Sequence, residues 1–101
     1  MAVIREHTLA IRRFVLTVAA GPNAGARVVS TGQRVVIGTH PSAELALTDP
    51  TVSRFHCELT VGESAITVRD LGSKNGTRIN GLGIVEAHVE GTATLVLDYV
   101  P

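Results

Sequence analysis

Aromatic residues are nearly missing from this chain: it has no tryptophan, one tyrosine and two phenylalanines among 101 residues. Hydrophobic residues still make up 45%, so the interior must be built mainly from Val, Leu, Ile and Ala. Cysteine occurs once, as Cys57, which excludes an internal disulfide and any cysteine-rich zinc site. Its plain reading is a small buried thiol. A net charge is also missing, because nine Lys and Arg balance nine Asp and Glu. Non-specific nucleic-acid binding needs a basic excess, so no direct nucleic-acid partner is expected. Any recognition of an anion must be local rather than steered from a distance. No apolar run approaches the roughly 20 residues of a membrane span, and residues 1–13 lack the apolar stretch of a signal peptide. No membrane partner is expected, and the cytoplasm is the default location. The four histidines have no metal-ligand spacing, so neither a metal site nor a cofactor is expected. His7 and His88 read as surface residues, and Arg12 and Arg13 as a solvated edge.

What the chain does have is short β-branched runs separated by turn residues every eight to twelve positions, the rhythm of a sandwich or barrel. Residues 14–18, 27–29, 34–37, 45–47, 55–61, 65–69, 77–79, 84–85, 87–89 and 94–97 read as strands. In 55–61 the period-two pattern puts Phe55, Cys57, Leu59 and Val61 on one face. Asn75-Gly76 and Asn80-Gly81 are tight turns on either side of the short strand 77–79. The fold expected is all-β, an antiparallel β-sandwich of about 10–11 short strands. Residues 1–10 read as a flexible N-terminal arm, and 11–101 as one domain.

Three segments carry polar residues that strands do not require: 38–42, 53–56 and 72–77, the last followed by Asn80-Gly81. Loops on alternate connections of a sandwich gather at one end, so these three form one candidate patch. Hydroxyls, an amide, a guanidinium and an ammonium suit a phosphate and an extended peptide backbone. Gly72 and Gly76 would supply positive φ and bring N–H groups forward.

The ordered set of Gly38, Ser53-x-x-His56, Asn75-Gly76-Thr77 and Asn80-Gly81 resembles the signature of forkhead-associated (FHA) domains, over about residues 14–98. The resemblance implies an FHA/SMAD-like β-sandwich that binds phosphothreonine peptides. Segment 38–42 is similar, more narrowly, to FHA domains of bacterial sigma-54-dependent transcriptional activators. Carried over position by position, the resemblance implies that the Ser53 hydroxyl and backbone meet the phosphate. Arg54 would touch the phosphopeptide, and Lys74 would reach the phosphate. Asn75 would hold the peptide backbone on either side of the phosphothreonine. His56 would brace the loops from behind, and Gly38, Gly76, Thr77 and Asn80 would set their shape. Thr39 and His40 complete the candidate site.

Thr39 is a departure, because the family usually has a phosphate-contacting arginine there. A charge-assisted hydrogen bond is worth about 1.5–3 kcal/mol, so its loss weakens binding by roughly ten- to a hundredfold. The alternative is therefore a phosphorylation-independent interaction domain. An enzyme is not expected: no nucleophile–base pair shows, and on an alternating strand Ser53 and His56 would lie on opposite faces. The end of the chain raises one further expectation. FHA domains usually close with a strand that lies beside their first strand. Here residues 94–97 supply the penultimate strand, and the chain then stops at Pro101, which cannot donate to a ladder. The last strand is expected to be missing, which leaves three outcomes: a longer regulator that continues past Pro101, a neighbouring chain that fills the slot by self-association, or residues 1–10 folding in; the first is the one expected.

Overall fold

Period-two alternation becomes strand almost everywhere it was expected. The computed structural model describes residues 1–9, 13–30, 32–62 and 65–97. Among these are β1 (Val3–Leu9), β2 (Arg13–Ala20), β3 (Arg27–Val29), β4 (Arg34–Gly38), β5 (Leu45–Ala46) and β6 (Cys57–Val61). They are followed by β7 (Ile66–Asp70), β8 (Thr77–Ile79), β9 (Leu82–Ile84), β10 (Glu86–Val89) and β11 (Thr92–Val96). The six-stranded sheet has the order β3-β2-β1-β11-β8-β9, and the five-stranded sheet β10-β7-β6-β4-β5. Every neighbouring pair is antiparallel except β4 and β5, which run parallel through Ile37↔Leu45 and Gly38↔Ala46. The fold is the expected all-β sandwich.

The core between the sheets is aliphatic, as the shortage of aromatics requires. Ile4, Leu16, Val18 and Leu95 from one sheet meet Ile37, Leu59, Ile66 and Val68 from the other, all at most 2% exposed. Phe14 is the one phenylalanine in this core, at 0% exposure. Fully burying one such side chain is worth about 1.5–3 kcal/mol, so the two inner faces hold the sheets together without a disulfide.

The N-terminal arm is a correction. Residues 3–9 form β1, an inner strand paired with β2 through Ile4↔Val18 and with β11 through Ile4↔Leu95. This strand occupies the slot beside β2 that the missing last strand was expected to leave open. An inner slot lined by Leu16 and Leu95 would otherwise expose unpaired N–H and C=O groups and apolar surface. The filled slot removes the ground for self-association through it. Leu97 donates its N–H to Ala2 O at 3.1 Å, which ties the two ends of the described chain together. Residues 98–101, on which the truncation reading rested, and Arg12 lie outside the described residues.

Phe55 is a second correction. Strand β6 begins at Cys57, and Phe55 sits in the preceding turn at 45% exposure instead of on the inner face. The opposite-faces reason against a Ser53–His56 pairing therefore fails, since neither residue lies in a strand.

Candidate functional site

Three loops meet at one end of the sandwich, and each is shaped by a residue at the edge of a strand. Gly38 ends β4 against the 53–54 backbone, where a Cβ would lie 2.0 Å from Arg54 O; only glycine permits that approach. The next two N–H groups pair across the same gap, Thr39 N to Ser53 O at 3.1 Å and His40 N to Arg54 O at 3.1 Å. The His40 ring stacks on Phe55 with centroids 4.8 Å apart. Its Nδ1 accepts the Ser42 N–H at 3.0 Å and the Ser42 hydroxyl at 2.7 Å. The Thr39 hydroxyl has no partner among the described residues.

The second loop is anchored by Asp49, whose carboxylate is 2% exposed. Oδ1 accepts the Thr51 N–H at 3.0 Å and the Thr51 hydroxyl at 2.6 Å. Oδ2 meets the Met1 amine at 2.8 Å. The amine and the Thr51 hydroxyl outweigh burial and hold the Asp49 carboxyl down at about 2. This short turn presents Ser53. Its N–H donates to His56 Nδ1 at 3.1 Å, so Nδ1 is the acceptor and the ring proton sits on Nε2. Nε2–H then donates to Gly76 O at 2.8 Å. His56 is 0% exposed, and its neutral ring braces the second loop against the third from behind.

The third loop closes around Asp70, at the end of β7. Its Oδ2 accepts the Gly72 and Ser73 N–H groups, each at 3.0 Å. Its Oδ1 accepts the Ser73 hydroxyl, and the Thr77 hydroxyl at 2.8 Å. Burial alone would raise the Asp70 carboxyl, but these bonds outweigh it and hold the group below the ordinary carboxylate range. Ser73 Oγ in turn accepts the Gly76 N–H at 3.0 Å. Gly72 and Gly76 take φ of 74° and 82°, the left-handed turn expected of them.

Two bonds join the second and third loops. Lys74 N donates to Ser53 Oγ at 3.0 Å, and Asn75 Nδ2 donates to Thr51 O at 2.8 Å. Ser53, Arg54, Lys74 and Asn75 therefore share one surface, with Thr39 and His40 at its rim. The Ser53 hydroxyl hydrogen, the second Asn75 N–H and Asn75 Oδ1 have no partner among the described residues. Arg54 and Lys74 are exposed and have no carboxylate partner among them. The surface thus offers donors and cations to an anion, with one acceptor beside them.

Asn80 stands apart. It takes φ of 48° in the Asn80-Gly81 turn and accepts the Thr94 N–H at 3.1 Å, at the far end of β8, roughly 10 Å along the strand from Thr77. It shapes that hairpin and not the site. Asp49, Thr51, Asp70 and Ser73 were not singled out in the sequence, although Asp-Pro and Asp-Leu-Gly-Ser are turn signals. Cys57 is buried, and burial foremost raises its thiol above the ordinary range, so it supplies no nucleophile. Among the described residues no cluster of His, Cys, Asp or Glu could hold a metal ion, and no helix is long and apolar enough to cross a membrane.

Comparison with known proteins agrees with the architecture. The oxoglutarate dehydrogenase inhibitor of Corynebacterium efficiens is 44% identical over 66 residues, 65% of this chain but only 46% of that protein. The FHA domain of CT664 from Chlamydia trachomatis superposes with a TM-score of 0.64 at 25% identity, covering 99% of this chain and 100% of that one. An FHA domain described for its phosphothreonine-dependent interactions also superposes with a TM-score of 0.64, at 20% identity, covering 100% of this chain and 99% of that one. The family described as the cytoplasmic domain of the inner membrane component of T3SS (Yop-YscD_cpl) matches residues 17–97. The chain is an FHA domain and belongs to the Yop-YscD_cpl family.

Proposed function

We propose that this domain recognises a phosphothreonine-containing segment of a partner protein. One observation supports the reading: two hydrogen bonds, Lys74 N to Ser53 Oγ and Asn75 Nδ2 to Thr51 O, join the loop of Ser53 and Arg54 to the loop of Lys74 and Asn75, and neither cation has a carboxylate partner among the described residues. A phosphate dianion would take the Ser53 O–H, Arg54 and Lys74 as charge-assisted donors. The free N–H and Oδ1 of Asn75 would hold the peptide backbone beside it. The FHA domain described for phosphothreonine-dependent interactions has the same fold. The partner would be a cytoplasmic phosphoprotein, and the domain's role regulatory, in keeping with the inhibitor named above. The narrower sigma-54 setting rests on residues 38–42 alone, and none of the relatives named here supports it.

A second reading follows from Thr39. Without the usual arginine, the same surface could hold an unphosphorylated segment through Asn75 and Ser53. Calorimetry with one peptide in phosphothreonine and threonine forms separates the two. Binding of the phosphorylated form at least tenfold tighter supports phosphate recognition; equal binding supports the second reading, and binding of neither form excludes this surface for that peptide.

A further inference from the structure

The outer faces of the two sheets differ in charge. On the five-stranded sheet, Glu58 is clamped between Arg34 Nε and Arg69 Nη2, the latter at 2.7 Å, and Glu86 stands opposite Arg69. That face neutralises itself. On the six-stranded sheet, Ile4, Glu6, Phe14, Leu16 and Val18 are buried, so the alternate positions of β1 and β2 face outward. Arg5, His7 and Arg13 are exposed there, with Arg27 on β3 beside them. Arg5, Arg13 and Arg27 have no ion-pair partner among the described residues. Within β1, β2 and β3 the one described carboxylate, Glu6, points into the core, and Asp49 and Asp70 are engaged in the loops.

We propose that this face is a docking surface for an extended acidic polypeptide segment, separate from the phosphothreonine surface. Thr17 lies between Arg5 and Arg27 in register, so the two arginines stand roughly 10 Å apart across the strands. Arg13 lies four residues along β2, roughly 13 Å from that row, which is also the spacing of side chains i and i+4 in an extended chain. Acidic side chains at that spacing would reach Arg13 at one end and Arg5 with Arg27 at the other. The hydroxyls of Thr17 and Thr94 flank Arg5 in the same row and offer further hydrogen bonds at that end. Among the described residues the face has no Phe, Tyr or Trp on which nucleic-acid bases could stack. Val29, paired with Val15, is exposed at 38% at the edge of this face, but one aliphatic side chain among arginines and threonines is not the broad apolar face that enters a bilayer. An acidic polypeptide is the anion that needs neither.

The test is fluorescence anisotropy of the whole chain with a short labelled peptide of alternating Glu and Thr, with amide shifts mapping the contact. Expected are shifts in β1, β2 and β3, and binding weakened roughly tenfold in Arg5→Gln/Arg27→Gln and by high salt. The same double substitution should leave the thermal melt and any phosphothreonine-peptide affinity unchanged. The proposal is overturned by no binding, by equal binding of the double variant, or by shifts confined to residues 38–42, 53–54 and 72–76. It is equally overturned if anionic phospholipid vesicles or single-stranded DNA bind this face and the peptide does not.

Discussion

The two loops that flank Ser53 are held in opposite ways. The 71–76 loop is bonded around one carboxylate: Asp70 collects two N–H groups and two hydroxyls, and Ser73 passes a further bond to Gly76. The 39–43 loop is joined to its neighbour by backbone pairs from Thr39 and His40; apart from the His40 ring stacked on Phe55, its side-chain bonds are local. A loop built around side chains tolerates few changes in them. One fastened by its backbone leaves its side chains free to vary, and that is why the site can carry Thr39 where the family usually has arginine without losing its shape.

The largest effect on either loop is expected at Asp70. Asp70→Ala would leave two N–H groups and two hydroxyls without an acceptor, and several partly buried bonds to a charged group add up to about 2–4 kcal/mol. Urea denaturation should show that loss, and Lys74 and Asn75 would no longer be presented to a ligand. Asp70→Asn, which keeps one carbonyl acceptor, should fall between. A stability loss under about 0.5 kcal/mol, the range of ordinary surface changes, would show that the backbone alone holds the loop.

Acid should loosen the same side of the site. Asp49 and Asp70 both have folded pKa values below their ordinary ones, Asp49 at about 2. Their stabilisation is complete above the unfolded carboxylate value of about 3.9 and disappears as the pH falls through the folded values. For Asp49 the shift corresponds to at most about 2.5 kcal/mol, less what the exposed Met1 amine loses to solvent screening. Stability followed between neutral and strongly acid pH should fall in that window, and Asp49→Asn should flatten the fall. An unchanged acid limb in that variant would place its origin elsewhere.

Much of this was legible in the sequence, for physical reasons. Alternation exposes strands such as β6 and β7 because each has one face in the core. The polar loops stood out because no strand needs Ser53, Lys74 or Asn75. Strand β1 was hidden by Glu6, a carboxylate at an inward position between Ile4 and β2, which breaks the apolar pattern that marks an inner strand. Asp70 was hidden for the opposite reason: aspartate before Leu-Gly-Ser reads as an ordinary turn residue, and only the folded loop shows four donors aimed at it. Asn80 was drawn toward the site because sequence proximity to Thr77 does not convey the length of β8 between them.

In the 39–43 loop, substitutions at Thr39 should change binding and leave the loop's shape intact. Thr39→Arg places a guanidinium beside the Ser53 loop, and one charge-assisted bond of about 1.5–3 kcal/mol should tighten phosphothreonine-peptide binding by at least tenfold in calorimetry. Arg54→Ala should weaken it by a smaller factor, about fivefold to tenfold, because an exposed cation holds its ligand in screened solvent. Thr39→Ala should do least. Its hydroxyl has no partner among the described residues, and the N–H bond to Ser53 O survives in alanine. The melting curve should therefore match the parent within about 0.5 kcal/mol, with peptide affinity changed less than by Arg54→Ala. A larger loss at Thr39→Ala than at Arg54→Ala would mean that the Thr39 hydroxyl itself meets the ligand, and the 39–43 loop would then be chemically committed rather than free to vary.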